Sequence, residues 1–153
     1  MLAPHLKDVT LRAREVLYEM QDEILQVHFP HSGMISIFAV IDDGEAIETA
    51  SIGSEGALGA FAALGIKRAI GRAVVQIAGE ASRISVSHLQ KAARDSERIR
   101  DMILRSSEAL AVQTQQSAAC GALHGVECRL ARWLLQAHDR SGDPIHLIQE
   151  MLA

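Results

Sequence analysis

A long stretch without proline is the feature that most constrains this chain. No proline occurs from Ser87 to Arg140. Apolar and small residues recur there at steps of three, four and seven: Ile99, Met102, Ile103, Leu110 and Cys120. This spacing predicts a helix over Glu97–Cys120, and its 24 residues would be about 36 Å long. Such a helix is as long as a small domain is wide, so we expect part of it to pack on something outside its own domain.

The apolar stripe of this helix predicts pairing with a second copy. We expect a homodimer whose interface consists of Ile99, Met102, Ile103, Ser106, Leu110, Gln113, Ser117 and Cys120. Polar residues interrupt this stripe, and polar positions in such a seam can fix the register of paired helices. One long helix lying across its own sheet is the alternative that the pattern leaves open.

The residues before Ser87 predict short β-strands. Runs rich in β-branched or aromatic residues lie at Val16–Tyr18, Val27–Phe29, Met34–Ile41, Glu45–Ile52, Arg72–Ile77 and Ala81–Val86. Met34–Ile41 is almost uniformly apolar, which indicates that both faces of this strand are covered. Asp43-Gly44 is a hairpin signal, because glycine tolerates the positive φ of a tight turn. We therefore predict an α+β chain that begins with an antiparallel β-roll of the jelly-roll kind.

Local signals mark the ends of the helices. Ser87–Gln90 matches a capping box and predicts the start of a short helix, and Asp95 or Ser96 can cap the long one. Gly121 and Gly125 weaken the helix after Cys120. They predict either a hinge or a simple helix break before the next amphipathic stretch.

Composition excludes several classes of protein. The chain has 153 residues, of which 48% are hydrophobic and 22% charged, which is typical of a globular core rather than of a disordered chain. No run approaches the roughly 20 apolar residues that span a bilayer, and two cysteines are too few for a disulfide framework. We expect a cytoplasmic protein with no membrane partner. The net charge of −4 argues against tight DNA binding by these residues alone.

A glycine segment, Gly53–Phe61, is the candidate for chemistry. Its three glycines stand three residues apart, and such a segment can present backbone N–H groups to an anion. A tight corner of the β-roll would need the same residues. The segment is not a P-loop, because no Gly-Lys-Ser/Thr follows, and no βαβ unit surrounds it as a dinucleotide site requires.

The order of these elements resembles the effector domain and dimerisation helix of Crp/Fnr-family bacterial transcription regulators, which carry a β-roll of the cyclic nucleotide-binding type. The matching segments are Glu15–Glu19, Phe29–Ser36, Gly53–Phe61 and Glu127–Leu135. The resemblance implies an effector-binding-like roll over 1–95, a dimerisation helix over 96–124, and the start of a helix-turn-helix DNA-binding domain over 125–153.

The resemblance also implies how the third region divides. Val126–Gln136 would be the first helix of the DNA-binding domain, and Ile148–Ala153 the beginning of the next. We expect the recognition helix to be missing from these residues. DNA would then be a partner of the full-length regulator but not of this fragment, because sequence readout needs that helix in the major groove.

In relatives that bind a cyclic nucleotide, the glycine segment is a phosphate-binding cassette that reads Gly-Glu-Leu, with Arg and then Ser/Thr-Ala eleven residues after the glycine. Gly56 and Leu58 match, but Ala57 replaces the ribose-binding Glu. Lys67 and Arg68 replace the Arg and the hydroxyl residue, and Lys does not reproduce the bidentate geometry of Arg. The cassette is therefore degenerate, and we do not expect it to bind a cyclic nucleotide.

The same segment remains the candidate site for another small anionic effector. The residues that would form it are Gly56, Ala57, Leu58, Gly59, Lys67, Arg68 and Arg72. A solvated basic edge is the alternative for the last three.

The function that these residues predict is the sensory and dimerising portion of a transcription regulator. The alternative is an effector-independent module on the same fold that acts through dimerisation or a protein partner. We expect no enzyme, catalytic residue, metal or cofactor. No His-x-His of a cupin-type metal oxygenase occurs, and Cys120 and Cys128 have no zinc-type spacing.

Overall fold

A computed structural model describes residues 2–41 and 44–141. Its strands are β1 (Lys7–Leu11), β2 (Val16–Tyr18), β3 (Gln26–Pro30), β4 (Met34–Val40), β5 (Ala46–Ile52), β6 (Arg72–Ile77) and β7 (Gly79–Ser85). Its α-helices are α1 (Val86–Asp95), α2 (Glu97–Leu123) and α3 (Val126–Ser141). Short 3-10 helices lie at Ala3–His5 and Ala60–Leu64.

The strands form two antiparallel sheets with the orders β1-β7-β3 and β2-β6-β4-β5. β7 pairs with β1 on one side and β3 on the other, while β4 lies between β5 and β6. Apart from the consecutive pair β4 and β5, neighbouring strands in each sheet are distant in the sequence, so the chain passes back and forth between the sheets as in a roll. The predicted α+β class with an N-terminal antiparallel β-roll is confirmed.

The sequence analysis did not predict β1. Four of its five residues, Lys7–Thr10, are exposed or only half-buried, and only Leu11 is fully buried. An edge strand with one buried residue carries little of the apolar pattern from which strands are predicted.

The main core lies between the two sheets and contains residues from both. Its buried members are Leu11, Ile35, Ile37, Ala50, Ile52, Leu58, Ala73, Val75 and Ala81. Burying each Val, Leu or Ile side chain stabilises the fold by about 1.5–3 kcal/mol. Leu58 belongs to the glycine segment, so that segment is attached to the core.

A second cluster joins one end of the roll to the helices. It contains Ile24, Val27, Ala60, Ala62, Ala63, Ala69, Ile84, Val86, Leu89, Ala93 and Ile103. Ile103 comes from α2, so one face of the long helix rests on the roll of its own protomer. This contact agrees with the alternative of a long helix lying across its own sheet, and pairing with a second copy stays a prediction.

Serine side chains cap the first two α-helices. The Oγ of Ser85 accepts a hydrogen bond from the His88 backbone N–H at 3.3 Å. α1 therefore begins at Val86, and the capping box predicted at Ser87 was wrong by two residues. The Oγ of Ser96 accepts from the Ile99 N–H at 3.4 Å, which confirms the predicted cap of α2.

α3 lies on the outer face of the four-stranded sheet. Ala137 and Trp133 pack there on Met34 and Ile77. α3 covers one face of β4 and the core covers the other, and Met34–Ile37 is buried throughout. The prediction that both faces of Met34–Ile41 are covered holds only for this first half, because Phe38–Val40 is half-buried and Ile41 is exposed.

α2 ends at Leu123 and α3 begins at Val126. The predicted break therefore lies at His124-Gly125, while Gly121 is inside α2. The predicted hairpin turn at Asp43-Gly44 lies partly outside the described residues, and the predicted helix at Ile148–Ala153 lies wholly outside them. No described helix is long and apolar enough to span a membrane.

Candidate functional site

The glycine segment, Gly53–Phe61, is fixed to the three-stranded sheet at its centre. The backbones of Leu58 and His28 exchange two hydrogen bonds, of 2.9 and 3.1 Å. Gly59 follows with a φ of +79° and turns the chain into the helix at Ala60–Leu64. A residue with a side chain would be strained in that conformation, so this glycine is required by the turn itself.

A cavity of about 430 Å³ separates the glycine segment from α2. Its walls are mainly apolar and include Phe29, Ala57, Leu89, Ile99 and Ile103. Arg105, Glu55, Ser54 and Ser106 supply its polar groups. It is the place where a small molecule could contact both the roll and the long helix.

A second cavity, of about 300 Å³, lies where the glycine segment meets both α2 and α3. We call this meeting point the junction. Gly56 and Ala57 line both cavities. In the smaller one they face Gln113 of α2 and Arg140 of α3. The glycine segment therefore meets two helices within a short distance.

The basic residues predicted for the effector site lie elsewhere. The Arg68 Nη1 donates to the Gln21 carbonyl at 2.8 Å, and the Arg72 Nε lies 3.2 Å from a Glu19 carboxylate oxygen. Lys67 is exposed, and none of these three residues lines either cavity. Of the predicted set, Gly56 and Ala57 reach the cavities, while Leu58 and Gly59 are buried in the roll.

Arg140 of α3 is the cation that contacts the glycine segment, and the sequence analysis missed it. Its Nε and Nη2 donate to the Glu55 Oε1 at 2.9 and 2.7 Å. The same carboxylate oxygen accepts from the Gly53 N–H at 3.1 Å. Burial alone would raise the pKa of Glu55, but the hydrogen bonds and charge of Arg140 lower it below its usual value. No local pattern signals a pair that is 85 residues apart in the chain.

Ser51, near the end of β5, connects α2 and α3 to the four-stranded sheet. Its Oγ accepts from the Arg140 Nη1 at 2.9 Å and from the Gln113 Nε2 at 3.3 Å. Its backbone N–H donates to the Gln113 Oε1 at 3.3 Å. A shift of β5 at this residue would therefore reach α2 and α3 together.

Trp133 makes a second polar contact between α3 and the sheet. Its indole N–H donates to the Glu48 Oε2 at 3.1 Å, and the Ser36 hydroxyl donates to the same oxygen at 2.8 Å. Burial raises the pKa of Glu48 above its usual value, although these two hydrogen bonds and the nearby Arg140 and Arg132 oppose that effect.

Comparison with known proteins identifies the fold. No protein-family model and no curated protein matches the sequence. FixK2 from Bradyrhizobium japonicum superposes with a TM-score of 0.75 and 16% identity, over 88% of this chain and 67% of that one. The cyclic di-GMP-responsive regulator CLP from Xanthomonas campestris gives 0.70 and 22%, over 95% and 72%. A cyclic nucleotide-binding domain from Methylobacillus flagellatus gives 0.60 and 12%, over 76% and 66%. The fold is that of Crp/Fnr-type regulators.

Within this Crp/Fnr-type fold, most of the predicted interface residues are covered by their own protomer. Ile103 and Cys120 are buried, and Ile99, Ser106, Leu110, Gln113 and Ser117 are half-buried. Met102 differs, because 63% of its surface is exposed. Further exposed apolar residues, among them Val112 and Leu123, lie on the same side of α2 as Met102, next to the side that packs on the roll.

His28, which pairs with the glycine segment through its backbone, has a buried side chain. Only 7% of its surface is exposed, and its Nδ1 has no hydrogen-bond partner. Burial lowers its pKa from 6.5 to about 4; the nearby Arg83 adds to this effect, and Glu15 opposes it. The described residues contain no cluster of three metal-ligating side chains around it or elsewhere.

Proposed function

We propose that this chain is the sensory and dimerising portion of a Crp/Fnr-type DNA-binding transcription regulator and acts as a homodimer. The observation that carries the proposal is the junction at which the glycine segment meets α2 across a cavity and meets α3 through Arg140. A molecule bound in that cavity would contact α2, the helix that directly precedes α3 in the chain. Sensing and the orientation of the DNA-binding part would thus share one element.

The outward side of α2 provides the dimer interface in this proposal. The residues at alternating three- and four-residue steps on that side are Met102, Arg105, Ala109, Val112, Gln116, Ala119 and Leu123. All of them are exposed in the protomer. This is the heptad spacing of paired helices, and the alanines permit close approach. We place the interface here because Ile103 and Leu110, which the spacing also suggested, pack on the roll.

A second copy would also complete the sensory cavity. Met102, Arg105 and Ala109 belong to this outward stripe and line the 430 Å³ cavity as well. The partner's helix, paired along the stripe, would therefore close the open side of the cavity.

We propose that the effector is a small anionic molecule other than a cyclic nucleotide. Ala57 lines the cavity without the carboxylate that would bind a ribose hydroxyl. Lys67 and Arg68 lie outside both cavities, and Arg68 donates to the loop between β2 and β3 instead. Arg105 is the cation that borders the mainly apolar space. The same features fit the alternative, a module with no small-molecule effector.

Sedimentation tests the dimer. We expect a mass of twice 16.6 kDa for the wild-type chain and a monomer for Val112→Glu, because a buried carboxylate would face its copy across the seam. Leu104→Glu is the matched control, since Leu104 is exposed on α2 but outside the stripe. A Val112→Glu protein that stays dimeric would contradict the interface, and a monomeric wild type would contradict the dimer.

A thermal-shift series tests the effector. We expect no stabilisation by cyclic AMP or cyclic GMP, and stabilisation by at least one small carboxylate or phosphate compound that Arg105→Gln abolishes. Stabilisation by cyclic AMP that Lys67→Ala abolishes would overturn the degenerate-cassette proposal. Absence of any response in a dimeric protein would favour the effector-independent module.

A further inference from the structure

Polar contacts from the middle and from the last turn of α3 hold this helix on the roll. Trp133 donates to Glu48 near the middle of the helix, and Arg140 donates to Glu55 and Ser51 in its last turn. Ala137, between them, is completely buried against the sheet. Most of the stability of a helix in a folded protein comes from its packing, so the stability of this 16-residue helix depends on these contacts with the sheet.

We propose that Arg140 is a latch that couples the glycine segment to α3, so that α3 leaves the roll only when Glu55 releases the guanidinium. The proposal rests on contacts within one protomer and requires neither the dimer nor the effector proposed above. It assigns a positioning role to a residue that the cassette comparison does not include.

The geometry of Arg140 supports this role. Its side chain is largely buried, with 12% of its surface exposed, and its guanidinium reaches both the glycine segment and Ser51 of β5. Hydrogen bonds to charged groups are stronger than those between neutral groups. The hydrogen bonds between Arg140 and Glu55 can therefore offset the hydration that the exposed Glu55 carboxylate gives up when it binds the guanidinium.

Gly53 provides an independent sign that the site is built around Arg140. A Cβ at this position would lie 2.6 Å from the Arg140 Cγ and 2.7 Å from its Cδ. Gly53 does not have a positive φ, so the backbone does not require glycine here. The space that the missing side chain leaves is occupied by the stem of Arg140.

The consequence is that displacing Glu55 should loosen α3 even though Glu55 lies on the roll. We would measure backbone hydrogen exchange over Val126–Ser141 by mass spectrometry in the full chain. Loss of the charged contact between the two side chains should speed exchange in α3 about tenfold in Glu55→Gln. Arg140→Gln should speed it at least as much, because it also removes the hydrogen bonds to Ser51. Gly53→Ala should do the same without removing a charge.

The double variant Glu55→Gln/Arg140→Gln distinguishes a latch from two separate effects. If Glu55 acts only through Arg140, the double variant should exchange no faster than Arg140→Gln alone. Trp133 is the only tryptophan in the chain, so its acrylamide quenching reports independently whether α3 has left the sheet. We expect quenching to rise in all four proteins.

The control is Glu45→Gln, an exposed glutamate just before β5, which should leave exchange and quenching unchanged. Far-UV circular dichroism would show that each variant retains its strands. Unchanged exchange in α3 of Glu55→Gln would overturn the proposal. So would additive effects in the double variant, because Arg140 and Glu55 would then act independently.

Discussion

The buried histidine beside the glycine segment should make the fold sensitive to mild acid. The pKa of His28 falls from 6.5 to about 4 on folding, mainly because burial disfavours the charged imidazolium. Between these two pH values the unfolded chain binds a proton at His28 that the folded chain does not. Stability should therefore decrease as the pH falls from about 6.5 to about 4 and should level off for this group below that.

The size of the effect follows from the two pKa values. A difference of about 2.5 pH units corresponds to about 3 kcal/mol at 1.36 kcal/mol per unit. That is a large share of the roughly 5–15 kcal/mol by which domains of this kind are stable. The perturbation that isolates it is His28→Gln, which keeps a polar side chain but cannot take up a proton in this range.

Urea unfolding at fixed protein concentration, repeated from pH 7.5 to pH 4, provides the assay. Carboxylates titrate in every variant, so the informative quantity is the difference between wild type and His28→Gln. The wild type should lose about 3 kcal/mol more than the variant over this range. His5→Gln, which removes an exposed histidine, should follow the wild type. Parallel pH curves for wild type and His28→Gln would refute the claim that burial keeps His28 neutral.

Three further substitutions, with Leu104→Ala as the control for one of them, test the packing around the junction. Ser96→Ala removes the cap of α2 and should lower the free energy of unfolding, measured with urea, by about 1 kcal/mol. Ile103→Ala should cost about 3 kcal/mol because the side chain is buried on the roll, whereas exposed Leu104→Ala should change stability by less than about 0.5 kcal/mol. Gly59→Ala places a Cβ 2.9 Å from the Ile24 Cγ2 at a φ of +79°, so its thermal midpoint should fall; an unchanged midpoint would show that the turn does not need glycine.

Most of the fold could be predicted because most strands are short runs rich in β-branched or aromatic residues, which are visible in the local sequence. Met34–Ile41 is almost uniformly apolar, and the structure buries its first half, Met34–Ile37, completely. The cap of α1 was misplaced because Ser85 and Ser87 are both serines with suitable neighbours, and only the end of β7 decides between them. β1 was missed because an edge strand buries too little to show a pattern.

The junction itself could be predicted only in part. Gly56 and Ala57 were found, since the resemblance aligns them with a cassette, and both line the cavities. Arg140 could not be found in this way, because its partners Ser51 and Glu55 are more than 80 residues away in the sequence. Only the tertiary placement of α3 brings these groups together.

The predicted interface shows why spacing alone could not separate the two sides of α2. Ile99 and Ile103 point to the roll, while Met102 is mainly exposed, yet all three satisfy steps of three and four residues. Two apolar stripes on neighbouring sides of one helix produce a single broad pattern in the sequence. Burial distinguishes them: the inner stripe already has its partner in the roll, and the outer stripe exposes Val112 and Leu123 by 60% and 81%. The exposed apolar residues of the outer stripe, Met102, Val112 and Leu123, are therefore the observation on which our proposal of a dimer interface rests.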